Sequence, residues 1–406
     1  MGDTDERRKI LKEKLLESID YSRENSDEEI RELIDEMLVR EGRENPLSLT
    51  ERGRLRTELF HAVRKLDVLQ ELVDDPQITE IMINGPDKIF VERNGRLTES
   101  ELYFDSGEKL QNVIQQIVSD CNRVVNEASP IVDARLENGA RVNVVLNPVA
   151  LNGPIVTIRR FPDNPITMED LVSFGSITEE VCEWLSRLVR AKYNIFISGG
   201  TGSGKTTFLN ALSNYIPDKE RIITIEDSAE LQIRSVHNIV RMETRNANVE
   251  GCREITIRDL IKTSLRMRPD RIVVGEVRGG EAFDMMQCLN TGHDGSMSTG
   301  HANSARDMLS RLENMILMGM EIPLAAIRQQ IASGIDLIVH LGRLRDKTRK
   351  VLEIAEVCGL ENGEIILSTI YRFEEEKETE GGKILGTLRK EGELAYVEKL
   401  QTAGLC

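Results

Sequence analysis

A glycine-rich segment in the middle of the chain has the residue types and spacing of a phosphate-binding loop. Its residues are Gly199, Gly200, Thr201, Gly202, Ser203, Gly204, Lys205, Thr206 and Thr207, which contain the pattern G-x-x-x-x-G-K-[ST]. Glycines let backbone N–H groups curl around a polyanion, and the lysine places a positive charge on the β- and γ-phosphates. The hydroxyl of Thr206 is suited to ligate Mg²⁺. The segment therefore predicts a site for a nucleoside triphosphate with Mg²⁺.

The sequence on either side of this loop predicts the elements that must position it. Residues 194–198 form a short apolar run typical of a buried strand, and residues 206–215 have the pattern of a helix. A helix N-terminus adds unpaired N–H donors and its dipole to a phosphate site. The predicted strand–loop–helix order is the context that a phosphate loop requires.

Two further predicted strands end in acidic residues. Residues 221–225 lead into Glu226 and Asp227, and residues 271–274 lead into Gly275 and Glu276. Ligands of doubly wound sheets lie at the carboxyl ends of the strands. One acid would then hold Mg²⁺, and the other would polarise the attacking water. The alternative is that each acid only caps the helix that follows it.

A histidine-containing segment follows at residues 291–303. His301 lies at the carboxyl end of a predicted strand, residues 296–299, where its ring could donate a hydrogen bond to the γ-phosphate and report its loss. The alternative is a polar turn with incidental histidines. A zinc site is disfavoured, because His293 and His301 are far apart and no cysteine lies at ligand spacing.

Three arginines earlier in the chain are candidate phosphate contacts. Arg135, Arg141 and Arg159 lie at the edges of predicted strands or turns. Without the phosphate loop, surface charge would be the preferred interpretation of these arginines. With the loop, an arginine supplied by another domain or subunit is a common way to neutralise developing phosphate charge.

Changes in residue pattern along the chain predict four regions. Helix-capping patterns at Ser26 and Ser48 indicate that the N-terminal region is helical. The charged run Glu374 to Glu378, which we expect to be a solvated loop, begins the C-terminal region. Two prolines make 161–165 a predicted linker. The regions are a helical region at 1–65, a small α+β domain at 66–165, an α/β domain with a parallel sheet at 166–373, and an acidic tail at 374–406.

Composition excludes several classes of protein. The net charge of −16 and the aromatic content of 4% disfavour a protein that coats nucleic acid. Charged residues at 30% and hydrophobic residues at 40% exclude wholesale disorder. No apolar run approaches the roughly 18 residues that span a bilayer, and the N-terminus lacks a signal sequence. Six cysteines without a CxxC pair fit a reducing cytoplasm.

Several motifs together resemble the ATPases of type II and type IV secretion, and within them the CpaF-type ATPase of tight-adherence (Flp) pili. The matching segments are Ile78 to Pro86, Val132 to Arg135, the Walker A stretch Gly199 to Thr207, the acid box Thr224 to Leu231, the Walker B stretch Arg268 to Ala282 and the histidine box His293 to His301. They span roughly residues 70–370.

The resemblance implies an architecture and a set of roles. It implies a RecA-like P-loop ATPase domain in a homohexameric ring, with ATP bound between the two domains of each subunit. It implies Glu226 as the water-activating acid, Glu276 as the Walker B acid near Mg²⁺, and His301 near the γ-phosphate. Arg135, Arg141 and Arg159 become candidate ATP contacts, either within a subunit or across a subunit boundary.

The expected function is that of an ATP-hydrolysing motor. Its work would go into assembling, or assembling and retracting, a tight-adherence pilus or a related secretion machine. We expect it at the cytoplasmic face of the inner membrane, docked to a membrane platform protein and without direct nucleic-acid binding. Two alternatives remain: a type IV secretion ATPase that exports DNA or effector proteins, and a nucleic-acid translocase of the RecA class.

Overall fold

The computed structural model describes residues 2–20, 23, 25–93, 95–121, 123–160, 164–245 and 253–405. The chain divides into two compact units, Met1–Pro162 and Asp163–Cys406. Residues 161–163 of the predicted linker lie outside the described residues. None of the helices in the described ranges combines the length and the apolar character needed to cross a membrane.

Three helices at the start of the first unit share a hydrophobic core of their own. Leu11, Ile34 and Leu59 are buried in it. The predicted capping boxes at Ser26 and Ser48 are confirmed, because each serine side chain accepts a hydrogen bond from the backbone N–H three residues on and the glutamate there bonds back. The helices are α1 (Gly2–Ser18), α2 (Asp27–Glu44) and α3 (Leu49–Arg64).

The remainder of the first unit is a six-stranded antiparallel sheet with two helices. The strand order is β3-β2-β1-β6-β5-β4, and one face of the sheet contributes Ile81, Val142 and Ile158 to the core. Along β5 and β6, fully buried residues alternate with residues that keep some exposure, and the opposite face carries both polar and apolar side chains. The elements are α4 (Leu69–Asp74), β1 (Ile78–Asn84), β2 (Ile89–Arg93), β3 (Arg96–Glu99), α5 (Gly107–Asp120), β4 (Ile131–Arg135), β5 (Arg141–Val145) and β6 (Ile155–Arg159).

The second unit is built on a nine-stranded sheet in the order β15-β14-β13-β12-β7-β11-β10-β8-β9. The strands from β12 to β9 in this order are parallel, and β13, β14 and β15 pair antiparallel at one edge. The elements are α6 (Met168–Ser173), α7 (Glu179–Arg190), β7 (Ile195–Gly199), α8 (Lys205–Ser213), β8 (Arg221–Glu226), β9 (Asn238–Glu243), α9 (Ile257–Ser264), β10 (Arg271–Val274), α10 (Glu281–Leu289), β11 (Met297–His301), α11 (Ala305–Gly319), α12 (Leu324–Gly334), β12 (Leu337–Arg343), β13 (Arg349–Glu361), β14 (Glu364–Glu378), β15 (Ile384–Lys390) and α13 (Glu398–Ala403).

Hydrophobic cores cover the central sheet on both faces. Along β7, Ile195 and Ile197 enter one core with α7 and α8, while Phe196 enters the other with α10, α11 and α12. A strand buried on both faces has no polar side to present, which explains the continuous apolar run that predicted β7. The parallel sheet predicted from alternating strands and helices is confirmed.

The predicted loop at the charge run is wrong. Glu374 to Glu378 form the last part of β14, which pairs antiparallel with β15. Arginines supply the opposite charge: Arg345 pairs with Glu375 and Glu378, and Arg389 pairs with Glu374. A run of like charges can lie in a strand when arginines from neighbouring segments pair with it, which a single segment of sequence does not reveal.

Candidate nucleotide-binding site

The phosphate loop, residues 200–204, joins the end of β7 to the start of α8. A Cβ on Gly199 would lie 2.5 Å from the carbonyl oxygen of Leu341 and 2.6 Å from Ser203 Oγ, so only glycine fits there. Gly204 precedes α8 with φ +93° and offers no side-chain cap. The first N–H groups of α8 are thus left for another acceptor, which is the chemistry of an anion site.

Lys205, the first residue of α8, is buried without a counter-charge. Its ammonium donates to the Gly200 carbonyl oxygen at 3.0 Å and lies 3.2 Å from His301 Nδ1. Within the described ranges, no carboxylate lies within ion-pair distance of Lys205. Burial lowers the pKa of Lys205, and the charge of Glu276 opposes that shift. A buried cation of this kind is stabilised by a polyanion.

His301 links this lysine to Glu276. Its Nε2 lies 3.1 Å from Glu276 Oε1, while its Nδ1 faces the Lys205 ammonium. Because an ammonium can only donate, we assign the proton of the neutral ring to Nε2, which donates to the carboxylate. Burial lowers the pKa of His301, which favours this neutral form. The structure therefore brings together the ends of three elements: α8, β11 and the segment after β10.

Arg278 joins the cluster formed by Lys205, His301 and Glu276. The sequence motifs assign it no role. Its Nε and Nη2 donate to the two carboxylate oxygens of Glu276 at 2.9 and 3.2 Å, and its Nη1 lies 3.5 Å from Asp227 Oδ2. The hydrogen bonds to Glu276 raise the pKa of Arg278. Its position two residues after Glu276, past the end of β10, is the signal that could have revealed it.

Glu226 is the last residue of β8 and is only 3% exposed. Its Oε2 accepts hydrogen bonds from the backbone N–H groups of Glu230 and Leu231 at 2.7 and 3.0 Å. Its Oε1 is buried and has no hydrogen-bond partner in the part of the chain that the structure describes. Burial raises the pKa of Glu226 to about 7. A Cβ at Gly275 would lie 3.0 Å from Glu226 Cγ, so this glycine leaves the space that the carboxyl group occupies.

The remaining polar residues of the predicted site surround the loop. Ser203 Oγ donates to the Gly200 carbonyl oxygen at 2.9 Å, Thr201 lies within the loop, and Thr206 and Thr207 lie in the first turn of α8. No group of three or more His, Cys, Asp or Glu side chains in the described ranges could hold a metal ion. A hydroxyl from Thr206 and a carboxylate from Glu276 suit Mg²⁺ that takes its other ligands from phosphates and water.

The three predicted arginines lie in the first unit and are in register. Arg135 is the cross-strand partner of Arg141, and Arg141 is the partner of Arg159. Directly opposed residues share a face of an antiparallel sheet, so these side chains form one row across β4, β5 and β6, which we call the arginine row. The row continues to Glu80 on β1, whose Oε1 accepts from Arg159 Nε at 2.8 Å.

A family model described as "Type II/IV secretion system protein" matches residues 63–380. The chain belongs to this family. A putative conjugal transfer protein of Mycobacterium tuberculosis is 34% identical over 307 residues, covering 74% of this chain and 86% of the relative. The type IV secretion system protein VirB11 of Brucella suis is 32% identical over 306 residues, covering 68% of this chain and 84% of the relative.

A solved structure of the Legionella pneumophila ATPase DotB matches 71% of this chain and 79% of its own, at a TM-score of 0.52 and 20% sequence identity. At that identity the likeness concerns the fold alone. The fold is the predicted one, an α/β architecture with a RecA-like P-loop domain.

Proposed function

We propose that this member of the type II/IV secretion family is an Mg²⁺-dependent ATPase that drives a secretion or pilus machine. The observation that carries the proposal is the arrangement of Lys205, His301 and Glu276 beside the phosphate loop. A buried lysine without a counter-charge, next to an uncapped helix N-terminus, is complementary to the triphosphate of ATP.

In the proposed reaction, the phosphate loop and Lys205 bind the β- and γ-phosphates. Thr206 and Glu276 would hold Mg²⁺, which when bound supplies positive charge at the phosphate oxygens. Thr206 would offer a hydroxyl oxygen, and Glu276 would offer the carboxylate that accepts hydrogen bonds from Arg278 in this structure.

Glu226 orients the attacking water in this proposal. Its Oε2 is fixed by two backbone N–H groups, which leaves the buried Oε1 to accept a hydrogen bond from water. A carboxyl with a pKa of about 7 can take a proton and release it near neutral pH. Positioning and general-base assistance then act together on in-line attack at the γ-phosphate.

We further propose that His301 reports the state of the γ-phosphate. When Lys205 turns from His301 Nδ1 to a phosphate oxygen, the ring loses a donor on one side and keeps its bond to Glu276 on the other. Loss of the γ-phosphate would remove one of the two phosphate acceptors that hold Lys205 away from His301 Nδ1. Such a local change is the kind of event that biases a larger conformational change.

The assembly that we propose is a homohexamer docked to a membrane platform protein at the cytoplasmic face of the inner membrane. The arginine row would supply further contacts to ATP, from the same subunit or from a neighbour. Arginine is suited to this role because its charge is permanent and its planar group binds phosphate in a bidentate manner.

Two kinds of machine are candidates. The CpaF-like sequence motifs favour assembly, or assembly and retraction, of a tight-adherence pilus. The conjugal-transfer and VirB11 relatives favour a type IV secretion system that exports DNA or effector proteins. Deleting the gene and complementing it with wild type or with Lys205→Ala separates the two, since surface pili, conjugation and protein export are measured independently.

The activity itself is tested with the purified chain. We expect ATP hydrolysis that depends on Mg²⁺ and that single-stranded or double-stranded DNA does not stimulate. Strong stimulation by DNA would favour the nucleic-acid translocase instead. Absence of both ATP binding and hydrolysis would contradict the proposed function.

A further inference from the structure

The hairpin that joins β12 to β13 lies beside the phosphate loop. Strand β12 pairs in parallel with β7, and its Leu341 is the partner of Gly199 at the start of the loop. Two residues further on, Arg343 is the antiparallel partner of Arg349, the first residue of β13. Both arginine side chains therefore share one face of the hairpin at the edge where the phosphate loop begins.

Arg349 contacts the loop itself. Its Nε donates to the carbonyl oxygen of Gly202 at 2.9 Å, and its Cδ lies 3.4 Å from the position of a Cβ on Gly204. Arg343 makes no such contact in the described part of the chain. Two like charges placed directly opposite each other are unfavourable, so the acceptor at Gly202 helps to hold Arg349 in place.

The tip of the same hairpin is tied to β14 and β15. Arg345 forms ion pairs with Glu375 and Glu378, and its Nη1 lies 2.8 Å from Glu375 Oε2. Asp346 accepts from the backbone N–H of Ile384 at 2.8 Å and from Thr348 within the tip. The charged run at residues 374–378 therefore forms ion pairs with the tip of the hairpin that contains Arg349.

We propose that Arg349 is a positioning residue for the phosphate loop and that the β14–β15 hairpin supports it through Arg345. The proposal rests on the proposed function, because it concerns how the chain holds its nucleotide-binding loop. Gly202 has φ +70° and no side chain, so its peptide group has many alternative orientations. A hydrogen bond to its carbonyl oxygen removes most of them before ATP arrives, which lowers the entropy lost on binding.

The main experiment compares Arg349→Ala with Arg343→Ala in the full chain. Both changes remove one exposed arginine from the same face of one hairpin, so general attraction of ATP changes equally. Without nucleotide, we expect amide hydrogen exchange at residues 202–205 to be about threefold to tenfold faster in Arg349→Ala only. With ATP, its KM should rise about fivefold to tenfold while kcat stays within about twofold, since a preformed loop binds ground state and transition state alike.

Further variants test the details. Arg349→Lys keeps the charge and a donor, and should recover most of the affinity. Arg345→Ala should raise KM by about twofold to threefold. Arg389→Ala, which removes an equally exposed arginine from an ion pair within the β14–β15 hairpin, should leave KM unchanged. Equal KM changes in Arg343→Ala and Arg349→Ala, or exchange rates unaltered by Arg349→Ala, would overturn the proposal.

The two proposals fail in different ways. If the wild-type chain neither binds nor hydrolyses ATP, the proposed function is wrong, but exchange at residues 202–205 still reports whether Arg349 orders the loop. If ATP turnover is normal and exchange is insensitive to Arg349, the positioning role is wrong and the proposed function stands. Melting temperatures close to wild type establish that the variants are folded, as expected for exposed side chains.

Discussion

The phosphate loop and the arginine row place cations in opposite surroundings. Lys205 is only 6% exposed, at the carboxyl edge of a sheet covered on both faces. The arginine row lies on the face of an antiparallel sheet opposite its hydrophobic core, where the side chain of Arg159 is 61% exposed and pairs with Glu80. The same formal charge is therefore screened weakly at the loop and strongly on the row.

This difference sets the size of the effects that substitutions should have. A buried charge that meets a ligand interacts with it in a medium of low dielectric constant, and its removal is not compensated by water. An exposed arginine exchanges one set of partners for another at little net change in free energy. Substitutions at the buried site in the second unit should therefore reduce nucleotide binding or turnover most, and substitutions in the arginine row should have the smallest effects.

The change expected to have the largest effect is Lys205→Ala. It removes the buried charge facing the β- and γ-phosphates, and no second lysine lies in the loop. We expect tight binding of Mg²⁺-ATP and its turnover to be abolished, measured by isothermal titration and phosphate release. Lys219→Ala, an exposed lysine of the same unit, is the control and should hydrolyse ATP as wild type does. Hydrolysis at the wild-type rate by Lys205→Ala would remove the basis for assigning this loop.

The next change, Glu226→Gln, separates chemistry from binding. The amide keeps the size of the side chain but is not a base, and the loss of a general base reduces rates by about 10²–10⁴. Nucleotide affinity should stay within a few-fold of wild type while turnover falls by that order. A decrease in turnover of less than about threefold would transfer the role to another acid, with Glu276 the first to test.

The same substitution should change stability in a pH-dependent way. The folded-state pKa of Glu226 is raised to about 7 by burial, above its usual value, so the folded state holds this proton more tightly than the unfolded state. The contribution of Glu226 to stability is present at low pH and is lost as pH rises through about 7. At pH values well above 7, the buried charge of Glu226 lowers the free energy of unfolding by roughly 3 kcal/mol.

Urea unfolding of wild type and Glu226→Gln at two pH values measures this effect. The two proteins should be about equally stable at pH 5, and the variant should be the more stable at pH 8.5. Glu361→Gln, an exposed position at the end of β13, should show no such difference. A wild-type advantage at pH 8.5 would mean that Glu226 is held as a charged group by contacts stronger than its burial.

The sequence predicted where short-range patterns place the residues of the candidate site. The loop at 199–207, the acids at 226 and 276 and the histidine at 301 each lie at or just after the end of a strand, and the carboxyl ends of parallel strands meet at one edge. Strand length and spacing are local properties, and the apolar runs of β7, β8 and β10 are continuous because both faces of the sheet are covered.

The contacts that the sequence did not predict join distant segments. Arg349 is 147 residues from Gly202, and its contact depends on β12 lying next to β7 in the sheet. Glu375 and Glu378 were expected in a solvated loop because they belong to a run of charged residues. Their partner Arg345 lies in another hairpin, so the run alone does not show that the charges are paired. The register of strand pairs decides both contacts, and register is not encoded in any single segment.

The arginine row offers the smallest and most selective test. In it, Arg141 lies between Arg135 and Arg159, and Arg159 also pairs with Glu80. Directly opposed like charges repel, so a bound anion would relieve the repulsion along the row. If phosphate contacts help to assemble the ring, a non-hydrolysable ATP analogue with Mg²⁺ should raise the hexamer fraction, because a ligand favours the state that binds it best.

We expect Arg141→Ala to raise the analogue concentration required for half-maximal assembly by about threefold to tenfold. Arg159→Ala should raise it too, and Arg159 has to leave Glu80 to reach a phosphate. Analytical ultracentrifugation with increasing analogue measures both. Arg96→Ala, an exposed arginine on β3 at the far edge of the same sheet, controls for general loss of positive charge. Identical assembly by all three variants and wild type would show that the row does not meet the nucleotide. A larger effect at Arg159 than at Arg141 would show that the Glu80 pair opens on assembly, which would make release of Arg159 part of ring formation.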